Sequence, residues 1–155
     1  MFAVGDMVAY PMHGAGIIQA IEEKEVLGKT AKYYVLQTGG MKVMVPVDGV
    51  EDAGMRHIIQ KEECQSILGY LSSKGEEESD NWNRRYRDNL DKMRTGNARE
   101  VADVVRSLTL RDRGKGLSTG EKKMLSKARK ILASELMLCL GLSEEEAFLL
   151  IEQAV

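Results

Sequence analysis

The chain has 155 residues, enough for one ordinary domain or two small ones, with 43% apolar and 30% charged side chains and a net charge of −2. This composition reads as a folded soluble protein and argues against a disordered tail or a membrane protein. No apolar run nears the roughly 20 residues of a membrane span, and the opening Met1-Phe2-Ala3-Val4-Gly5-Asp6 is no signal peptide. The first half reads as strands. Met7-Val8-Ala9-Tyr10 stops at Pro11, and Gly14-Ala15-Gly16 is expected to turn the chain into Ile17-Ile18-Gln19-Ala20-Ile21. Charged residues and Gly28 precede Tyr33-Tyr34-Val35-Leu36, and Gly39-Gly40 is a hairpin signal before Met41-Lys42-Val43-Met44-Val45-Pro46. Short β-branched runs between glycine turns predict a small, strongly bent antiparallel barrel. A short helix over 61–71 would place Cys64, Ile67, Leu68 and Leu71 on its apolar side.

The polar, acidic stretch 73–80 reads as a linker, which divides the chain into 1–72, 73–80 and 81–155. Everything beyond it is expected to be helical. Trp82, Tyr86, Leu90 and Met93 fall on one stripe that ends at Gly96. Asn97 with Glu100, Ser118 with Glu121, and Ser143 with Glu146 have the spacing of helix caps and open three further helices. The fold class is therefore α+β, a small barrel followed by an all-helical half with a modest core.

Charge is segregated along the chain. Residues 81–130 hold fifteen Lys/Arg against six Asp/Glu, whereas every other segment is acidic on balance. So dense a basic island is the electrostatic footprint of a polyanion-binding surface, or else a solvated helical face. Catalytic constellations are missing. The sequence has no GxxxxGK[ST], GxGxxG or HExxH, and its two histidines, His13 and His57, have ordinary structural roles available. Cys64 and Cys139 are far apart and lack CxxC context, so buried free thiols are expected, with no metal site and no cofactor. The sequence argues against an enzyme.

The opening Phe2-Ala3-Val4-Gly5-Asp6-Met7-Val8-Ala9-Tyr10-Pro11-Met12-His13-Gly14-Ala15-Gly16 resembles FxVGDxVxYPxHGxG, the signature of the CarD-type family. The likeness continues through Tyr33–Leu36, Val43–Val47, Asn81–Tyr86, Val104–Leu108 and Leu117–Leu125, nearly the whole chain in the family's order. A similar opening module occurs in the transcription-repair coupling factor, but this chain has no motor motifs. The resemblance implies a cytoplasmic, monomeric bacterial transcription factor associated with the nucleoid through RNA polymerase. Its Tudor-like barrel would bind the polymerase β subunit. Its helical half would touch promoter DNA with little sequence preference, in the minor groove at the upstream edge of the bubble.

The same resemblance assigns residues. Trp82 matches a tryptophan that wedges into the minor groove and holds the open complex, although periodicity alone favours a core role for it. Arg84, Arg87, Lys122 and Lys123 match basic positions of the family and, with Arg85 from the same basic stretch, are the expected phosphate contacts. Arg111, Arg113 and Lys115 are read as solvated loop charges. Lys24, Val26, Val43 and Met44 match the polymerase-binding strands, with methionine at the last position where some members carry arginine. An exposed strand edge there suits β-augmentation. A protein–protein adaptor without DNA contact is the alternative, and dependence on DNA separates the two.

Overall fold

The computed structural model describes residues 1–74 and 78–155. Part of the expected linker, including Glu76 and Glu77, lies outside the described residues. Five strands form one antiparallel sheet: β1 (Met7–Tyr10), β2 (Gly14–Val26), β3 (Lys29–Thr38), β4 (Met41–Pro46) and β5 (Arg56–His57), in the order β4-β3-β2-β1-β5. Five helices follow: α1 (Lys61–Leu71), α2 (Trp82–Arg94), α3 (Ala98–Gly114), α4 (Thr119–Leu140) and α5 (Glu144–Ala154). The α+β architecture is the expected one. The sheet curls around Phe2, Val8, Ile18, Tyr34, Leu36, Val45, Val50 and Met55 but leaves an open seam, because β4 and β5 are not paired. The Tyr34 hydroxyl accepts from the Phe2 amide at 3.1 Å and so fastens the chain start across this core.

Gly14-Ala15-Gly16 is not a turn. The reversal falls at Pro11–His13, with Met12 at φ 69° and His13 Nδ1 3.1 Å from the Pro11 carbonyl, and Gly14 already begins β2. The glycines serve close approach instead. A Cβ at Gly14 would stand 2.7 Å from Ser134 Oγ on α4, and one at Gly16 would stand 2.2 Å from the Gln37 carbonyl oxygen.

Helix α1 spans the expected residues, Lys61–Leu71, but it packs with the helices that follow it. Cys64, Ile67 and Leu71 are buried in one cluster with Val101, Val105 and Leu108 of α3, Leu132 and Leu136 of α4, and Ile151 of α5. A helix of 11 residues has too little apolar surface to stand alone, so it packs where a core exists. The helical body therefore starts before residue 72. Cys64 and Cys139, distant in sequence, are neighbours in this packing. Burial first, and then Cys139, pushes the Cys64 thiol up to about 12. Both cysteines are free, and Cys139 is only partly buried. Asp103 on α3 joins three helices. It accepts from Tyr70 of α1 and Lys92 of α2, and pairs with Arg106 at 3.2 Å.

The two halves are docked through α4. Ser134 Oγ accepts from the Ala15 amide at 2.8 Å, and Glu135 holds Arg56 with two bonds of 2.6 and 2.9 Å. Glu135 also accepts from the Ile59 amide at 2.9 Å, and Arg56 reaches the Gly96 carbonyl at 2.9 and 3.1 Å.

Candidate nucleic-acid and polymerase interface

Trp82 opens α2, capped by Asn81, whose side-chain oxygen accepts from the Arg84 amide at 3.1 Å. The buried stripe of this helix is Arg85, Asn89 and Met93, with Tyr86 and Leu90 partly covered beside it. Trp82 lies at the end of that stripe, against the start of α4, and stays 42% exposed. Its ring stacks on Tyr86 with centroids 5.0 Å apart and planes 17° from parallel, and its Nε1 donates to Ser118 Oγ at 2.9 Å. Gly120 borders the two rings, where a Cβ would make ordinary contacts at 3.5 Å from Tyr86 and 3.9 Å from Trp82.

Arg85 requires a correction. It was expected to face phosphates, yet it is 4% exposed, with Nε and Nη2 bound to Glu121 at 2.7 and 3.1 Å. Its remaining Nη1 donates to the Ser79 and Asp80 carbonyls at 3.2 and 3.3 Å. Four of the five guanidinium N–H donors are thus used inside the protein, and burial leaves the group almost no surface to offer a ligand. Arg85's hydrogen bonds come first among the causes that hold the Glu121 carboxyl below the usual glutamate range, outweighing burial. Arg84 and Arg87 point away from that stripe and are exposed, lining an open polar groove with Ser79, Asn81, Asn83 and Asp88.

Lys122 and Lys123 are both exposed in the first turns of α4. Successive residues on a helix diverge by about 100°, so they occupy opposite flanks of its outer face. Lys123 shares a flank with Gly120 and with Lys127, one turn on. Lys122 lines a groove with Asp112, Ser126, Arg129, Lys130 and Phe148. Sequence reasoning did not single out Lys127, Arg129 and Lys130. The available signal was the complete absence of Asp and Glu from 122–134, a span carrying five Lys/Arg. The outer face of α4 is consequently basic along three turns. Arg111 and Arg113 are helical and not loop residues. Arg111 and Lys115 reach Asp80 at 4.0 and 3.2 Å, and Arg113 donates to the Val155 carbonyl at 3.0 Å.

On the sheet, β2 and β3 run past β1 as a two-stranded ribbon whose residues 21–30 are all exposed. Leu27 at its tip is 98% exposed and Val26 50%. Register places Lys24 opposite Ala31, Val26 opposite Lys29, and Met44 opposite Val35. Strand alternation puts all three on one face of the sheet, with Met44 and Lys24 separated by about 13 Å along β3. Val43 pairs with Leu36 and packs against the sheet's core, so its side chain faces the other way. β4 has an unpaired outer edge.

A family model described as the CarD-like/TRCF RID domain matches residues 2–59, and one described as the CarD C-terminal domain matches residues 66–152. The chain belongs to the CarD family. A Bacillus subtilis (strain 168) protein named "Putative transcription factor YdeB" is 38% identical over 148 residues, covering 94% of this chain and 97% of that protein. The C-terminal match begins inside α1, consistent with the packing of that helix among the others in this CarD family member. Among the described residues no group of His, Cys, Asp and Glu is placed to hold a metal ion, and no helix is long and apolar enough to cross a membrane.

Proposed function

We propose that this CarD family member is a cytoplasmic regulator of bacterial transcription that holds the open promoter complex while anchored to RNA polymerase. The observation that carries this reading is the setting of Trp82, a half-exposed indole at the rim of the helical body beside the acid-free face of α4. A buried anchor would have no free surface to offer. A freely solvated indole would lack the stacking and hydrogen bond that fix this one. An oriented flat apolar ring next to cations suits insertion at an opened base step, with Arg84, Arg87, Lys122 and Lys123 on phosphates. Arg85 takes a structural part in this arrangement and no ligand contact.

The ribbon face bearing Lys24, Val26 and Met44, together with the unpaired edge of β4, is the proposed docking surface for the polymerase β subunit. Docking through α4 would then hold the two binding surfaces at a fixed separation. The deciding experiment is the lifetime of the open complex formed by purified polymerase with the protein. Trp82→Ala is expected to leave polymerase binding intact and shorten that lifetime by about five- to a hundredfold, the range of a lost base–aromatic contact of roughly 1–3 kcal/mol. An unchanged lifetime with a folded variant rejects the wedge, and full activity without any DNA dependence favours the adaptor.

A further inference from the structure

Ser118 has one hydroxyl, with one proton to donate and two lone pairs to accept with, and the structure uses all three. Oγ accepts from Trp82 Nε1 at 2.9 Å and from the Glu121 amide at 3.2 Å, and lies 3.2 Å from Glu121 Oε1, to which it donates. The second of these is the N-cap bond of α4, and the Glu121 side chain closes the reciprocal capping box by reaching back to the Ser118 amide at 3.4 Å. Glu121 is itself locked by the buried Arg85. An unbroken chain of hydrogen bonds therefore runs from the indole N–H through Ser118 and Glu121 to Arg85, and back into the helix from which Trp82 projects.

Helix capping alone does not explain this arrangement. Ser143 caps α5 with the same box, accepting from the Glu146 amide at 3.1 Å, and no aromatic donor is attached to it. What distinguishes Ser118 is the indole, held at its N–H by the hydroxyl and on one face by Tyr86. Two such constraints fix both side-chain torsions of a residue that is otherwise 42% exposed. From this we infer that Ser118 is a positioning residue for Trp82: its hydroxyl latches the indole in one rotamer, so that the ring meets DNA already oriented. This rests on the wedge reading of Trp82 given above. An exposed aromatic free to rotate loses that freedom on insertion, and a preset one does not, which is the general advantage of preorganisation.

Trp82 is the sole tryptophan of the chain, so its fluorescence reports the latch directly, without DNA or polymerase. Ser118→Gly removes the hydroxyl while keeping one of the better N-cap residues, and Ser118→Thr keeps both. In the full-length protein, Ser118→Gly is expected to add a fast component to the anisotropy decay of Trp82 while circular dichroism stays unchanged. It should also shorten the open-complex lifetime about two- to tenfold, the range of one immobilised side chain. Ser118→Thr should restore both. In a Trp82→Ala background Ser118→Gly should have no further effect on lifetime, the signature of two residues acting through one contact. An anisotropy decay in Ser118→Gly like that of the wild type overturns the latch, as does a threonine variant that restores neither property. If Trp82→Ala itself leaves the lifetime unchanged, the wedge reading fails, and the anisotropy alone then decides whether Ser118 holds the ring.

Discussion

Helix α4 is fastened at both ends by the same chemistry, a glutamate on α4 gripping an arginine from elsewhere in the chain with two hydrogen bonds. Near its start Glu121 holds Arg85 of α2, and fourteen residues on Glu135 holds Arg56 of β5. Fourteen residues is close to four full turns, so both carboxylates leave the same side of the helix about 21 Å apart. The surroundings differ. Arg85 and Glu121 are 4% and 2% exposed at their side chains, whereas Arg56 is 31% exposed over a Glu135 that is 5% exposed. The first junction lies inside a core and orients a tryptophan. The second is a seam between two bodies, open to water on one side. Burial, more than the pairing itself, sets what each junction contributes, because a charge left alone in the interior has neither water nor partner.

Removing one partner at each end therefore separates them most sharply. Arg85→Ala strands Glu121 in the interior and is expected to lose about 3–5 kcal/mol of unfolding free energy in urea titrations. Replacing both partners, as Arg85→Met with Glu121→Leu, should recover much of that loss. No recovery would mean that the pair stabilises by more than mutual neutralisation. Arg56→Ala should cost less, about 1.5–3 kcal/mol, because Glu135 keeps the Ile59 amide and Arg56 is already partly hydrated. Its distinctive readout is hydrogen exchange. The Ala15 amide, bonded to Ser134, should exchange faster while the amides of α3 remain protected, which marks loosening of the seam without unfolding of the core.

Acid distinguishes the α2 junction by a smaller effect. Glu121 titrates below its ordinary value, chiefly through its hydrogen bonds from Arg85. A depressed carboxylate contributes stability in full above the unfolded glutamate value of about 4.3, and loses it as pH falls through the folded value. The urea midpoint should therefore drop across that acidic window, and Glu121→Gln should flatten the drop after lowering stability at neutral pH. The exposed cations are expected to matter least for folding. Lys123→Ala and Lys127→Ala should each change stability by less than about 0.5 kcal/mol. Each should nevertheless reduce the salt dependence of DNA binding by about one unit of slope. Unchanged slopes in both would place the DNA on the Lys122 flank of α4.

Local chemistry had already written much of this fold into the sequence. Caps at Asn97, Ser118 and Ser143 are legible because a cap satisfies its own neighbouring amides, a matter of three residues. Most strand ends are legible because glycine and proline act where they stand, and the basic island because charge adds along the chain. Trp82 was legible as a candidate, being a tryptophan at the edge of that island. The fate of Arg85 was not. Its stripe with Asn89 and Met93 has helical spacing, but two of its three members are polar, so the periodicity of apolar residues pointed instead to Trp82, Tyr86 and Leu90. An arginine becomes an interior residue only when a carboxylate 36 positions away arrives to neutralise it.

The packing of α1 among the helices, the approach of Cys64 to Cys139, and the Arg56–Glu135 clamp across 79 positions are of the same kind. Composition and periodicity record what a residue prefers within its own turn or strand. A buried ion pair, a shared core or a latched indole depends on a partner far along the chain, and only the closed tertiary structure brings that partner within hydrogen-bonding distance.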